Sequence, residues 1–367
     1  MISVIIPVYK EAENIAPISS EVSRVLSSAG FKHEIILVDD NSKDGTKKIC
    51  ASLVKTLPLK LIIRKKNKGL APSVIKGIEN AAYDIIIVMD ADFSHPPSAL
   101  PKIINALLKD KADFVIGSRY IKGGAIDKNW GFFRRINSKA ATLLAKPLTK
   151  VKDPMSGFFC FYKKNMPDKK ILSPVGYKIC LEIITKGNFL NIKEIPIHFT
   201  DRSQGKSKFG LKEQFNFILH LIKLYLFLYP NIKQFMLFSA VGASGFVIDL
   251  SVYIGLQKLF NVNHILARGL SFWAAASSNW ALNRKITFKT KTKSSKLKQW
   301  ASFLIASLLG FSANFGIYYL LTGYVPFFKK HLIAAFIIGI SFGLFINFIL
   351  SASFVFKKKM MREKLRN

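Results

Sequence analysis

Over residues 1–117 short apolar runs alternate with longer stretches in which apolar and polar positions recur at helical spacing. The runs at 2–7, 34–38, 59–63, 85–89 and 114–117 read as strands, and the stretches at 12–29, 45–56, 70–82 and 97–109 read as helices. Strand and helix in turn predict an α/β, Rossmann-like domain with a mostly parallel sheet and right-handed crossovers. The run Ile85, Ile86, Ile87, Val88, Met89 contains no polar residue, as expected of a central strand covered on both faces.

Past residue 230 the pattern changes. Apolar stretches at 235–256, 265–282, 300–321 and 332–354 are each near the length that crosses a bilayer, which predicts an all-α membrane domain of four transmembrane helices. The preceding "FNFILHLIKLYLFLYP" at 215–230 is shorter and holds His220 and Lys223, so it reads as an interfacial helix. These shifts divide the chain into a first domain at 1–212, an amphipathic linker helix at 213–232, the four-helix domain at 233–358 and a basic tail at 359–367. The membrane part also looks duplicated. Phe238, Gly245, Asp249 and Tyr253 recur 65 positions later as Phe303, Gly310, Asn314 and Tyr318, while Asn279 and Phe288 recur 68 later as Asn347 and Phe356. Asp249 is an acid inside a span, where charge is costly, and Arg268 is a candidate partner.

Charge narrows the partners. Of 367 residues, 55 are Lys or Arg and only 22 are Asp or Glu, a formal net charge of +33. Such an excess suits an anionic partner; the spans favour an acidic membrane surface, and no zinc-finger or RNA-binding pattern supports nucleic acid. Arg284, Lys285, Lys289, Lys291, Lys293, Lys296 and Lys298 follow the second span, and six more cations, Lys357, Lys358, Lys359, Arg362, Lys364 and Arg366, follow the fourth. By the positive-inside rule this predicts a multi-pass protein of the cell membrane with both termini and the first domain cytoplasmic. The chain opens directly on a strand, so no signal peptide is expected. Three scattered cysteines give no disulfide framework, and the six histidines lack metal-ligand spacing.

Candidate chemistry gathers where the strands end. The ends read "PVYKEAEN", "VDDNSKDGT", "MDADFSHPP" and "GSRY", which would bring Glu11, Asp39, Asp40, Asp90 and Asp92 to one rim, the place where such sheets bind ligands. Acids so close repel one another unless a cation or a donor-rich ligand lies among them. Asp44 and Ser42 are expected to cap helices instead.

Taken in order, "IIPVYKEAENI", "ILVDDNSKDGT", "NKGLAPSVIKGI", "DADFSHPP" and "GSRY" resemble family 2 glycosyltransferases of the GT-A fold. "GSRYIKGG", "NWGFFRRINSKAA" and "DPMSGFFCFYKK" resemble the polyprenol (dolichol) phosphate mannose synthases and the related glucosyltransferases, over about residues 1–210. The membrane part resembles the GtrA-like domain found with such enzymes. The resemblance implies inverting transfer of one mannose from GDP-mannose to a polyprenyl phosphate, with UDP-glucose as the alternative donor. It implies Mg²⁺ or Mn²⁺ held by Asp92, Asp90 and Ser94; Ser94 stands where many relatives have Gln, and its hydroxyl is a shorter, weaker ligand. It also implies nucleotide-sugar contacts from Pro7, Tyr9, Glu11, Val38, Asp39, Asp40, Ala91, Arg119, Val175, Arg202 and Lys208, although Pro7 and Tyr9 would equally shape a strand end.

A lipid phosphate is already an anionic nucleophile at neutral pH and needs no general base, but it needs cationic clamps. Arg119, Arg134 with Ser138, and Arg202 with Lys208 in "DRSQGKSKFG" are the candidates. The Gln-x-x-Arg-Trp signature of processive synthases is absent, which favours one sugar per lipid. A flippase of lipid-linked sugars with a transferase-like head is a different class of reading; it predicts no labelled lipid product.

Overall fold

The computed structural model describes residues 1–127, 131–173, 176, 178–200, 211–289 and 295–356. It divides into two compact units, Met1–Leu228 and Tyr229–Asn367.

The first unit is built on seven strands: β1 Ile2–Val8, β2 His33–Asp39, β3 Leu59–Ile63, β4 Ile85–Val88, β5 Phe114–Ser118, β7 Phe159–Tyr162 and β8 Ile192–Pro196, in the order β3-β2-β1-β4-β7-β5-β8. The short β6 (Ala125–Ile126) and β9 (His198–Phe199) pair with each other in a separate ribbon. All five predicted strands are present. The sheet is parallel except for β7, which runs antiparallel to both β4 and β5. That reversal matters for the rim. An antiparallel strand starts where its neighbours end, so residues 153–158, which lead into β7, lie beside the carboxyl ends of β4 and β5.

Helices α1 Ala12–Ser28, α2 Thr46–Leu53, α3 Leu70–Glu79 and α4 Leu100–Leu108 connect the early strands. On one face of the sheet α1 and α4 bury Ile15, Ile18, Val22 and Ile103 against Val4, Ile6, Ile35 and Ile87. On the other, α3 and α6 (Ile179–Lys186) bury Val74, Ile78 and Ile183 against Ile5, Ile36, Ile86 and Phe159. Each fully buried side chain of this size contributes about 1.5–3 kcal/mol, so the two layers fix the sheet and with it the rim.

Two further helices belong to this unit: α5 Phe132–Ala145 and α7 Leu211–Leu228. Helix α7 sends Leu221 and Leu224 into the core and leaves Phe215, Ile218 and Ile222 exposed; α5 exposes Ile136, Leu143 and Leu144. The Tyr225 hydroxyl donates to the Leu144 carbonyl at 2.8 Å, which ties α7 to the end of α5. Beneath α7 the carboxylate of Glu182 is fully buried, 2.7 Å from Lys186 Nζ and 3.3 Å from His220 Nε2.

The second unit is helical: α8 Pro230–Phe260, α9 His264–Leu282, α10 Lys296–Tyr324, the short α11 Pro326–Lys330, and α12 Leu332–Leu350. Among the described residues three helical segments are long and apolar enough to cross a membrane, Pro230–Phe260, Lys296–Tyr324 and Leu332–Val355. These take in three of the four predicted spans. The remaining one lies in α9, whose Arg268, Ser271, Ser277, Ser278 and Asn279 leave it short of that apolarity, so the expected four stands at three by composition. The Arg268 guanidinium lies 2.5 Å from Asp249, the partner predicted for it.

The two halves repeat one design. Gly245 has no room for a Cβ beside Asn279, nor has Gly310 beside Asn347. Helix α9 runs into a single π-turn, Asn283–Thr287, and α12 into another, Ser351–Val355. The phenylalanines that follow, Phe288 and Phe356, stack 4.5 Å apart.

Candidate active site

Registers bring the acids level. Val8 pairs with Asp39, Ile5 pairs with Val88, and the Met89 amide donates to the Ile5 carbonyl at 3.1 Å. Asp39, Asp40, Asp90 and Asp92 therefore leave β2 and β4 on the same edge, on either side of β1.

Their surroundings differ. Asp39 accepts from the Ser42 amide and hydroxyl, and Ser42 Oγ in turn accepts from the Lys10 amide at 2.9 Å. This ties the turn after β2 to the turn after β1. Ser42 is thus a bridge between turns, whereas Asp44 takes the capping role, accepting from the Ala12 and Thr46 amides at the starts of α1 and α2. Asp40 is buried and engaged: Arg64 Nη1 lies 2.7 Å away, the Gly69 amide 2.6 Å and Ser73 Oγ 3.0 Å. Its carboxylate anchors the 64–69 loop. Val38 is fully buried beneath it, Glu11 accepts from Asn14 at 2.7 Å, Pro7 is half-buried, and Tyr9 is exposed with Lys10 Nζ 5.7 Å over its ring.

The turn after β4 is tighter. Asp92 Oδ1 accepts from the Ser94 amide at 3.1 Å and the Ser94 hydroxyl at 2.6 Å, so Ser94 orients Asp92. Asp90, flanking the buried Ala91, is the more open of the two acids. Gly157 passes close by, and a Cβ there would lie 3.3 Å and 3.4 Å from the two Asp90 carboxylate oxygens. Glycine therefore leaves the space beside Asp90 clear.

Arg119, at the end of β5, is held by Asp153 through three hydrogen bonds. Its amide and Nε donate to Oδ2 at 2.9 and 2.8 Å, and Nη2 donates to Oδ1 at 2.7 Å. Tyr120 and Phe199 flank the guanidinium at 5.3 and 5.2 Å. Gly124 presses on the same segment, where a Cβ would lie 2.7 Å from the Ser118 carbonyl. Asp153 is positioned in its turn by Glu194 of β8, which accepts from the Lys152 and Asp153 amides.

Ser138 on α5 shares a 2.7 Å hydrogen bond with the Tyr120 hydroxyl, which brings it within one residue of Arg119. Arg134 lies one turn earlier on the same helix. Val175, Arg202 and Lys208 lie outside the described residues.

Sequence reasoning missed three members of this site. Asp153 is 34 positions from Arg119, and only the reversal of β7 joins them. His95 lies under the acid turn, its Nδ1 accepting from the Asp90 amide at 3.0 Å. Lys178, just ahead of α6, has Nζ 3.5 Å from the Met155 carbonyl. Burial, followed by repulsion from Arg119, lowers its pKa to about 8. The only signal for Lys178 was its place in a chain crowded with lysines.

The rim thus holds hard-oxygen acids on one side and fixed cations on the other, an arrangement suited to a diphosphate carried with a divalent ion. The glycosyl transferase family 2 model matches residues 3–170, and the GtrA/DPMS transmembrane domain model matches residues 237–356. A dolichol-phosphate mannosyltransferase of Pyrococcus furiosus is 37% identical over 93% of this chain and 96% of its own length. This chain belongs to the dolichol-phosphate mannosyltransferase family. The Saccharomyces cerevisiae dolichol-phosphate mannosyltransferase is 36% identical over 65% of this chain and 93% of its own. Among solved structures, mannosyl-3-phosphoglycerate synthase of Rubrobacter xylanophilus superposes with a TM-score of 0.48 at 16% identity, over 63% of this chain and 75% of that one. That likeness is too loose to bear on the chemistry. Family membership agrees with the resemblance drawn from the motifs and makes this a membrane glycosyltransferase with a GT-A catalytic unit.

The family's divalent metal fits this donor set. Asp90 and Asp92 offer hard carboxylate oxygens, but no group of three or more metal-binding acids, histidines or cysteines occurs among the described residues. An Mg²⁺ or Mn²⁺ ion here would complete its shell with diphosphate oxygens and water, as Mg²⁺ commonly does.

Proposed function

We propose that this enzyme transfers a single mannose from GDP-mannose to a polyprenyl phosphate, with inversion, on the cytoplasmic face of the membrane. What carries this reading is the reach of the likeness: the Pyrococcus furiosus relative matches across both units and nearly end to end. UDP-glucose is the competing donor, since the two donors differ in base and one sugar hydroxyl.

The acceptor phosphate oxygen attacks the anomeric carbon as the bond to the departing nucleoside diphosphate breaks. No proton has to be removed, so no positioned base is required. Asp92 would hold the metal directly, with Asp90 touching the ion or the sugar and Ser94 keeping Asp92 oriented. When bound, the ion supplies positive charge to the diphosphate as it leaves. Arg119, clamped by Asp153, would present a fixed guanidinium to phosphate, and Ser138 with Arg134 would receive the acceptor headgroup. Asp39 would meet the nucleoside. Asp40 supports it from behind by fixing the 64–69 loop. The exposed apolar residues of α5 and α7 suit contact with a bilayer surface, which is where a polyprenyl phosphate must be met.

Full-length protein in liposomes, given polyprenyl phosphate, Mn²⁺ and labelled GDP-mannose, is expected to make labelled lipid, and Asp92→Ala to reduce the rate about a hundredfold or more. A preference for UDP-glucose would replace mannose with glucose in this reading. Undiminished transfer by a folded Asp92→Ala, or in excess chelator, would refute the metal role; no lipid product from any donor would favour the flippase.

A further inference from the structure

The turn that carries the acid pair is held by more than the Ser94 bonds to Asp92. Phe93, between Asp92 and Ser94, has φ +60°, the left-handed region that a residue with a Cβ adopts at a cost. Two groups outside the pair hold the turn. The Thr200 hydroxyl donates to the Phe93 carbonyl at 2.9 Å, and His95 Nδ1 accepts from the Asp90 amide at 3.0 Å.

His95 is itself fixed on every side. It is 2% exposed, stacked on Phe158 with centroids 5.2 Å apart, and met edge-on by Phe199 at 5.6 Å. A Cβ on Gly157 would lie 3.1 Å from its Cε1, and Pro96 and Pro97 stiffen the backbone beyond it. Because Nδ1 accepts, the ring proton is on Nε2. The ring thus reaches back five residues and closes the loop at its first amide.

We propose that His95 is a positioning residue for the metal-binding turn. By accepting the Asp90 amide proton it sets where the Asp90 and Asp92 carboxylates stand, and so how tightly the turn takes up the divalent ion with its nucleotide. This deepens the reading of the acid pair above and rests on it. The competing account makes His95 a filler between Phe158 and Phe199, whose ring alone matters.

Two substitutions separate these accounts. His95→Phe keeps an aromatic ring between its neighbours and removes the acceptor. His95→Asn gives up the ring but can place an amide oxygen where Nδ1 was. The readout is Mn²⁺ binding to the full-length protein in detergent with GDP present, the free ion counted by electron paramagnetic resonance. Losing one buried acceptor predicts about tenfold weaker Mn²⁺ binding in His95→Phe, with His95→Asn restored to within about threefold of wild type. Wild-type Mn²⁺ affinity in His95→Phe, or equal loss in two folded variants, would overturn the proposal. Should His95→Phe fail to fold, His95→Asn against His95→Gln decides, because the longer amide overshoots the Nδ1 position; equal affinities in that pair would overturn it too. GDP-dependent Mn²⁺ binding requires no sugar transfer. Wild type that binds the ion yet makes no mannosyl lipid would count against the proposed reaction and leave this test intact.

Discussion

Asp153→Ala tests whether the Arg119 clamp is a stable part of the fold. Asp153 is fully buried and Arg119 nearly so, and the substitution removes three hydrogen bonds at once. Hydrogen bonds to charged groups contribute about 1.5–3 kcal/mol each, but simple addition overstates the loss because the guanidinium and the backbone relax. Breaking a buried ion pair by deleting one partner costs about 3–5 kcal/mol, most of it from the charge left behind. Against a total of about 5–15 kcal/mol this is a large fraction. Hydrogen–deuterium exchange of peptides from β4, β5 and β7 reads the catalytic unit without interference from the membrane helices. Where exchange proceeds through global opening, the loss appears as a rise of about a hundredfold to a few thousandfold in exchange rate. Arg119→Ala with Asp153→Ala leaves no orphaned charge, so the double variant is expected to lose at least about 2 kcal/mol less than the sum of the singles. Exchange in Asp153→Ala within about 1 kcal/mol of wild type, or strict additivity in the cycle, would refute a buried, coupled pair.

Three further predictions follow from the same geometry. Lys178 is lowered to about 8 chiefly by burial. Between about 8 and its ordinary 10.5 the unfolded chain holds a proton that the folded chain has lost, so this group makes stability rise with pH across that window; Lys178→Met should flatten the rise in denaturant titrations. For Glu182, burial pushes the pKa up, but His220, Lys186 and the Ser173 amide outweigh it and hold it at about 2. The stability it confers is complete above about 4.5 and drains away as pH falls towards 2, a slope that Glu182→Gln should remove from acid-unfolding curves. Gly157→Ala places a methyl against the buried His95 ring and beside the Asp90 carboxylate, so it should lower the melting temperature and raise the donor KM about tenfold; an unchanged KM would show that the space is not used.

The first half of the sheet was legible because its signal is local. An apolar run such as Ile85–Val88 buried on both faces cannot be mistaken for solvated loop, and the acids after it mark which end is the rim. Direction is not a local property. Phe159–Tyr162 reads as a strand either way round, and nothing in "FCFY" says that it lies antiparallel between β4 and β5. Asp153, Gly157 and the clamp on Arg119 were hidden with it. Asp40 looked like a ligand because an acid at a rim and an acid in a buried ion pair are the same letter; Arg64, 24 positions on, decides its present engagement. His95 carried no signal of its own in a chain whose histidines lack metal-ligand spacing, and only the Asp90 amide aimed at Nδ1 distinguishes it from a ring that fills space. The membrane half was legible by length, α9 included, although the polar residues of α9 leave it short of the apolarity of the other three.

The duplication in the membrane unit gives that polar face a comparison within the same molecule. On the offsets of 65 and 68 positions, Asp249 corresponds to Asn314, Ser271 to Gly339 and Ala275 to Gly343. In the second half Asn314 packs directly against Gly339 and Gly343, where no Cβ would fit, so α10 and α12 close on small residues around a neutral amide. In the first half the same place holds an acid, 2.5 Å from Arg268 one turn up the neighbouring helix. Asp249 Oδ1 and Asn279 Oδ1 have no hydrogen-bond partner among the described residues, a costly state in an apolar surrounding. One architecture therefore exists twice in this chain, once neutral and close-packed and once charged and incompletely satisfied. Since the neutral version builds the hairpin without the ion pair, packing alone does not require the charge in the other.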